Sequence, residues 1–445
     1  MSRLWITLTL GVVFATQAAE AQSVEPVRLT FADAVRRAAA GAPAVALAGT
    51  RTDAAEARVR QTRAALLPDL SASASWLNRT FNLHSLGIEI PTAPGQPSLP
   101  DLVGPFNTWD ARVEVRQSLL DLSALARTHA AHAAVTSAEA DSGAASEAAA
   151  QRAAMAYLQA ARAHAQVAAR VADSSIATEL LVLAQAQKTA GVSAAIDVTR
   201  AQTQLVAARG ALVVARTQLR RSLLDLARAL GLDPAVPLEL ADTLSAELAT
   251  ADVPQEPAAA VALALSHRPD LSAEAARGDA ARRALSAINA EQLPHVDLEA
   301  DYGTNGPAIG SMLRTGQVGL ALTLPILDGW RRQGRAAEQQ ALAREADIRA
   351  RDLAQGIAAQ VDGAFLDIGA ATAQGEIAAE RLSLAEQELA QARDRFEAGV
   401  AGNIEVIDAQ ATLVRARDAD IDAKFAAAAA RVALARAVGE AHALQ

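Results

Sequence analysis

Glu405 and Asp408 sit just behind a break in helix-forming sequence, in the stretch FEAGVAGNIEVIDAQ from Phe396 to Gln410. Three residues apart, they share one face of the first turns of whatever helix follows. A near copy, KTAGVSAAIDVTRAQ, runs from Lys188 to Gln202 and sets Asp197 where the later copy has Glu405. Asp408 has Arg200 as its counterpart, so the acid pair belongs to the second copy alone. Acids near a helix N-terminus complement the helix dipole, and capping by itself accounts for their presence. Repeated around a symmetry axis, the same acids become rings that select cations and narrow a pore. Enzyme chemistry has less to stand on. His129 and His132 are three apart on helical sequence, but no third ligand clusters with them. There is no phosphate-binding glycine loop, no HExxH and no nucleophile elbow. No cysteine occurs, which excludes disulfides, thiolate metal sites, cysteine nucleophiles and a lipid-modified N-terminal cysteine.

The elements that hold these acids are read from the prolines. None occurs between Phe106 and Asp233, and none after Pro325, which leaves two spans free to be helical over great length. From Ser123 to Thr189 no strong breaker appears, and such a stretch is roughly 100 Å of helix. A helix that long must pack beside others like it, as in a coiled coil or tube. Each copied break then reverses a long helix at the far end of the tube. Gly191 and Gly399 are placed to take the left-handed conformation that ends a helix, and Asn403 is placed to cap the next one. Pro43 stands as far from Pro269 as Pro68 does from Pro294, while Gly191–Gly399 and Gly231–Gly439 share a second, shorter offset. The chain is a tandem duplication, with an insertion in the first half.

After Pro68 and Pro294 the apolar period changes from helical to twofold. Leu70, Ala72, Ala74 and Trp76 alternate with serines, and Trp109, Ala111, Val113 and Val115 with charged residues. Val296, Leu298, Ala300 and Tyr302 alternate with acids and a histidine, followed by Val318, Leu320, Leu322 and Leu324. These read as four strands, one hairpin per half. Each has an apolar face and a polar or small face, as in a membrane β-barrel with a wet lumen. Four strands cannot close a barrel, so insertion requires several protomers to pool their strands. The first hairpin loop, 81–108, holds Pro91, Pro94, Pro97, Pro100 and Pro105 and is the insertion; the second, TNGPAIGSM, is short. The start, MSRLWITLTLGVVFATQAAEAQS, has the form of an export signal cut after Ala21. No later run of about 18 apolar residues suits a membrane helix. Hydrophobic residues make up 51% of the chain but aromatics only 3%, which suits closely packed alanine-rich helices. A net charge of -9 argues against a nucleic-acid partner.

The expected division is a signal (1–21), a first helical segment (22–68), a first β-hairpin (69–120) and a long helical hairpin turning near 191 (121–230). A non-helical linker outside the tube (231–258), further helices (259–293), a second β-hairpin (294–325) and a second long hairpin turning near 399 (326–445) follow. In this order HRPDL (His267–Leu271), LPILDGWRRQGR (Leu324–Arg335) and AGVAGNIEVIDAQATL (Ala398–Leu413) resemble the outer-membrane efflux protein family, the TolC-type channels, over essentially the whole chain after the signal. The resemblance implies a mostly α fold: a homotrimer with a coiled-coil tube crossing the periplasm and a twelve-stranded barrel in outer-membrane lipid. It implies docking to a periplasmic adaptor and an inner-membrane transporter, export of small toxic compounds or proteins, and no cofactor. It makes Glu405, Asp408 and Asp197 pore-constriction residues; the tip residues Gly191, Val192, Gly399, Val400 and Asn403 read either as the adaptor contact or as turn residues only. In the best-known member of that family a tyrosine and an arginine help lock the second tip to the first; here those positions are Phe396 and Ala401. The expectation is therefore a mouth held by packing and acidic rings rather than by ion pairs between helices. A soluble coiled-coil scaffold or adhesin without a pore is the competing reading, and it leaves the four strands unexplained.

Overall fold

The computed structural model describes residues 26–83, 85, 87 and 102–445. The export signal and Pro91, Pro94, Pro97 and Pro100 of the first hairpin loop lie outside the described residues. The first half runs β1 (Val27–Leu29), α1 (Phe31–Gly41), α2 (Pro43–Ala64), β2 (Asp69–Asn82), β3 (Leu102–Leu120), α3 (Leu122–Thr189) and α4 (Ala195–Ala229). The second runs β4 (Leu238–Leu240), α5 (Pro257–His267), α6 (Pro269–Ala290), β5 (His295–Gly306), β6 (Leu313–Thr323), α7 (Arg331–Glu397) and α8 (Asn403–Val438).

The two longest helices, α3 with 68 residues and α7 with 67, are each about 100 Å long. Asp121 starts α3, its carboxylate accepting from the Ala124 amide at 2.9 Å. Pro43 and Pro269 open α2 and α6, where a missing N–H leaves nothing unpaired. α3 packs on α4, α7 on α8, and the shorter α2 and α6 complete the bundle against α3 and α7. Alanine dominates the buried positions, so backbones approach closely and few large side chains are needed. The large ones gather in separate clusters, one of them at mid-length. There Phe31 and Tyr157 meet edge to face with ring centroids 5.6 Å apart, beside Leu226, Val432 and Leu444. β1 and β4 pair in parallel over this cluster, and the Tyr157 hydroxyl lies 3.0 Å from both the Leu29 carbonyl and the Asp242 carboxylate. Burial pushes the Tyr157 phenol well above its ordinary range.

β2, β3, β5 and β6 form one antiparallel sheet in that order. Its register sets Leu70, Val115, Ala300 and Val318 in one row and Ser71, Glu114, Asp301 and Gln317 in the next. Alternation in the sequence thus becomes one continuous apolar face and one charged face. Trp76 and Trp109 stack across the strands on the apolar side, their centroids 6.1 Å apart. On the other side Arg112 bridges Asp110 and Asp301. β2 and β6 each have a single neighbour and leave an open edge. The first hairpin loop is shorter than expected, because Phe81 and Asn82 still pair with Val103 and Leu102. Pro105 belongs to β3 rather than to the loop. It is tolerated because the register shifts between Arg79 and Phe81, and a bulge needs no donor from it.

Candidate functional site

The ends of the two long hairpins are built alike. Gly191 and Gly399 adopt φ +75° and +72°, the left-handed conformation that glycine takes without a side-chain clash. At each turn the next amide reaches back five residues: Val192 N–H to the Gln187 carbonyl and Val400 N–H to the Arg395 carbonyl, both at 3.0 Å. This 6→1 bond satisfies a carbonyl that the ending helix leaves free. Val192 and Val400 project from the two turns, 64% and 70% exposed.

The helices that leave the turns start differently. Asp197, in the first turn of α4, accepts from the Ser193 hydroxyl at 2.9 Å and the Ala194 amide at 3.3 Å, and pairs with Arg200 at 3.5 Å. Its carboxylate serves its own helix start. Asn403 is not the cap of α8: Gly402 holds that place with extended backbone (φ −81°, ψ 157°), and Asn403 is the first helical residue. Its side chain turns inward and is fully buried. There it donates to the Asp197 carbonyl at 2.8 Å and ties the second tip to the first. Gln187 makes the reciprocal link, donating to the Phe396 carbonyl at 2.6 Å. The Phe396 ring is buried with Leu180, Leu389, Val406 and Leu413, where a hydroxyl would have to be desolvated. Ala401 is half-buried.

Glu405 and Asp408 are both exposed on the same side of α8, but they are not equivalent. Arg395, at the end of α7, pairs with Glu405 at 3.0 Å. Among the described residues Asp408 has no cationic side chain within ion-pair distance. Further from the tip, Arg393 pairs with Glu179 at 2.6 Å and Arg417 with Asp173 at 2.8 Å, both between the two hairpins. The expectation of a mouth without interhelical ion pairs is therefore corrected: packing, two amide–carbonyl bonds and several ion pairs hold it together. Asp173 is buried. Desolvation pushes its carboxyl above the usual range even though Arg170 and Arg417 oppose the shift.

HRPDL also has a structural task. Arg268 is buried, forks onto Asp270 at 3.0 and 2.6 Å, and donates to Gln360 at 2.6 Å and the Ala437 carbonyl at 3.2 Å. It locks the second half's short helices to the end of α8. His129 and His132 line a cleft of about 540 Å³ with Glu139, Asp279 and Arg283. Among the described residues, no group of three His, Asp or Glu side chains is placed to hold a metal ion. No described helix is long and apolar enough to cross a membrane.

Residues 34–232 and 260–440 match the family described as outer membrane efflux protein. The chain belongs to the outer membrane efflux protein family. The two matched stretches are the two halves of the duplication, and the gap between them covers most of the segment joining α4 to α5 and the first residues of α5. A relative, Protein CyaE of Bordetella pertussis, is 32% identical over 270 residues, covering 59% of this chain and 56% of that protein. The match thus spans little more than half the length of this curated relative. The fold is that of the outer membrane protein VceC from Vibrio cholerae: TM-score 0.74, 22% identity, 92% of this chain and 96% of that one. The Campylobacter jejuni CmeC outer membrane channel is similarly alike, with TM-score 0.77, 16% identity, 92% of this chain and 86% of that one. Family and fold are those of outer membrane channels rather than of enzymes.

Proposed function

We propose that three copies of this chain pool their strands into one twelve-stranded barrel in the outer membrane. Their long hairpins form a tube that crosses the periplasm. The assembly is the exit duct of a tripartite efflux or secretion system, joined by a periplasmic adaptor to an inner-membrane transporter. Its cargo is small toxic compounds or proteins. One observation carries this reading: a four-stranded sheet with a continuous apolar face and two open edges stands on helices about 100 Å long. An open edge is not tolerated in lipid, and pairing β6 of one copy with β2 of the next removes every edge. A soluble scaffold gives neither the edges nor the apolar face a partner.

At the periplasmic mouth the unpaired Asp408 supplies the main acidic ring. Glu405 contributes a ring partly neutralised by Arg395, and Asp197 stands behind them at its own helix start. The projecting Val192 and Val400, on the turns made by Gly191 and Gly399, are the adaptor contact, and Asn403 keeps the two turns in register. Cell fractionation tests the whole reading. The expected result is an outer-membrane protein that needs detergent for extraction and runs as a heat-modifiable trimer. A monomer soluble without detergent sinks it.

A further inference from the structure

The segment LPILDGWR, between β6 and α7, is the most exposed apolar part of the described chain. Ile326, Leu327 and Trp330 are 87%, 80% and 74% exposed. Apolar side chains that open to water in a long floppy loop would mean little, but this segment is braced. Asp328 accepts from the Arg332 amide at 3.1 Å and from its Nε at 2.9 Å. The buried Arg332 guanidinium in turn donates to the Glu291 carbonyl at 3.2 Å and the Pro325 carbonyl at 3.4 Å. Gly329 and Trp330 then take successive left-handed backbone conformations, φ +67° and +66°. A side-chain-bearing residue is uncommon there, and the fold holds it so that the indole stands outward beside the exposed Arg331.

The position of the segment says what covers it. It continues directly from β6, whose Val318, Leu320 and Leu322 stand 69–78% exposed on the apolar face. The corresponding junction in the first half, between β3 and α3, also presents an apolar pair ahead of an aspartate, Leu119 and Leu120. Two apolar junctions at one level, with tryptophan and arginine at the polar limit, form the pattern of a membrane–water interface. Indole rings settle among headgroups, and a guanidinium there meets phosphate.

We infer that the Ile326–Arg331 segment is a membrane-surface anchor. Ile326, Leu327 and Trp330 enter the periplasmic face of the bilayer, and Arg331 meets phospholipid phosphate. This rests on the lipid-facing reading of the strands. It gives the chain a hold on the inner leaflet just below the barrel.

Tryptophan quenching by brominated phospholipids tests it. One protein keeps Trp330 alone (Trp5→Phe, Trp76→Phe, Trp109→Phe); the other keeps Trp76 and Trp109 (Trp5→Phe, Trp330→Phe). Both are reconstituted in phosphatidylglycerol–phosphatidylethanolamine vesicles brominated near the headgroup or deep in the acyl chain. The expected result is that headgroup-proximal bromine quenches Trp330 at least about twofold more than deep bromine does, as an interfacial indole should. If Trp76 and Trp109 are quenched and Trp330 is not, a neighbouring copy or water covers the segment and the anchor is overturned. If no tryptophan is quenched, the lipid-facing reading of the strands falls and takes the anchor with it.

Discussion

Replacing Arg268 with methionine removes a guanidinium and keeps a stem of similar length against Gly439. An added Cβ at Gly439 would come within 3.0 Å of the Arg268 Cγ, so the stem's packing is tight. The lost contacts are the fork onto Asp270 and the bonds to Gln360 and the Ala437 carbonyl. Removing one partner of a buried charge pair costs about 3–5 kcal/mol, most of it from the partner left behind. Asp270 keeps a second cation, Arg436, at 3.6 Å, so the low end of that range, about 3 kcal/mol, is appropriate. Local opening should become about 100-fold more frequent, since each 1.4 kcal/mol is tenfold. Hydrogen exchange of the detergent-solubilised protein reads it directly. The amides of α5 and of the last turns of α8 should lose about two orders of magnitude of protection, and those near the tips should not change. Arg283→Met is the control: Arg283 pairs with Asp279 at 2.8 Å, with both side chains about half exposed. An exposed pair of that kind is worth about 0.5 kcal/mol, so its loss should change exchange less than about threefold. If the two variants change exchange equally, burial is not what gives Arg268 its weight, and the reasoning fails.

Three further outcomes are expected. In planar bilayers, Asp408→Ala should lower the cation-over-anion permeability ratio by at least about twofold, and Arg395→Gln, which unmasks Glu405, should raise it; movement in the same direction would remove the acids from the pore. Gly231→Ala should cost about 2–3 kcal/mol in thermal or exchange measurements, because the left-handed backbone (φ +67°) is compounded by a Cβ only 2.9 Å from the Pro43 Cδ. Gly191→Ala, with open space around it, should cost only about 1 kcal/mol, and equal losses would contradict the steric argument. Burial raises the Asp270 carboxyl, but the Arg268 hydrogen bonds and the charges of Arg268 and Arg436 outweigh it and hold the group below its usual range. Its stabilising contribution is therefore complete above the ordinary carboxylate pKa and is lost as pH falls through the depressed folded value. Exchange at the end of α8 should accelerate on acidification in wild type and much less in Asp270→Asn.

Much of the architecture is local in origin, and for that reason legible in the sequence. Proline-free, alanine-rich stretches can only be long helices, and their lengths came out within a residue or two at α3. A glycine repeated in two copies of one sentence of sequence marks a left-handed turn wherever it stands. Twofold alternation fixes which side of a strand is apolar before its neighbour is known. The acids behind the second turn were visible for the same reason, as was the absence of tyrosine and arginine at Phe396 and Ala401.

What the tertiary structure decided is which of these side chains are free. Glu405 and Asp408 look alike in the sequence, and only the return of α7 beside α8 places Arg395 on the first and, among the described residues, no cation on the second. Asn403 has the composition of a cap. It is instead a buried tie, because the chain turns one residue earlier and α4 offers a carbonyl across the interface. Gln187, Arg393 and Arg417 carried no signal at all, since their partners lie some two hundred residues away and nothing in the local pattern depends on them. The strand faces show the same division: alternation sets the faces, but only the register joins four of them into one apolar surface with two edges still to be paired.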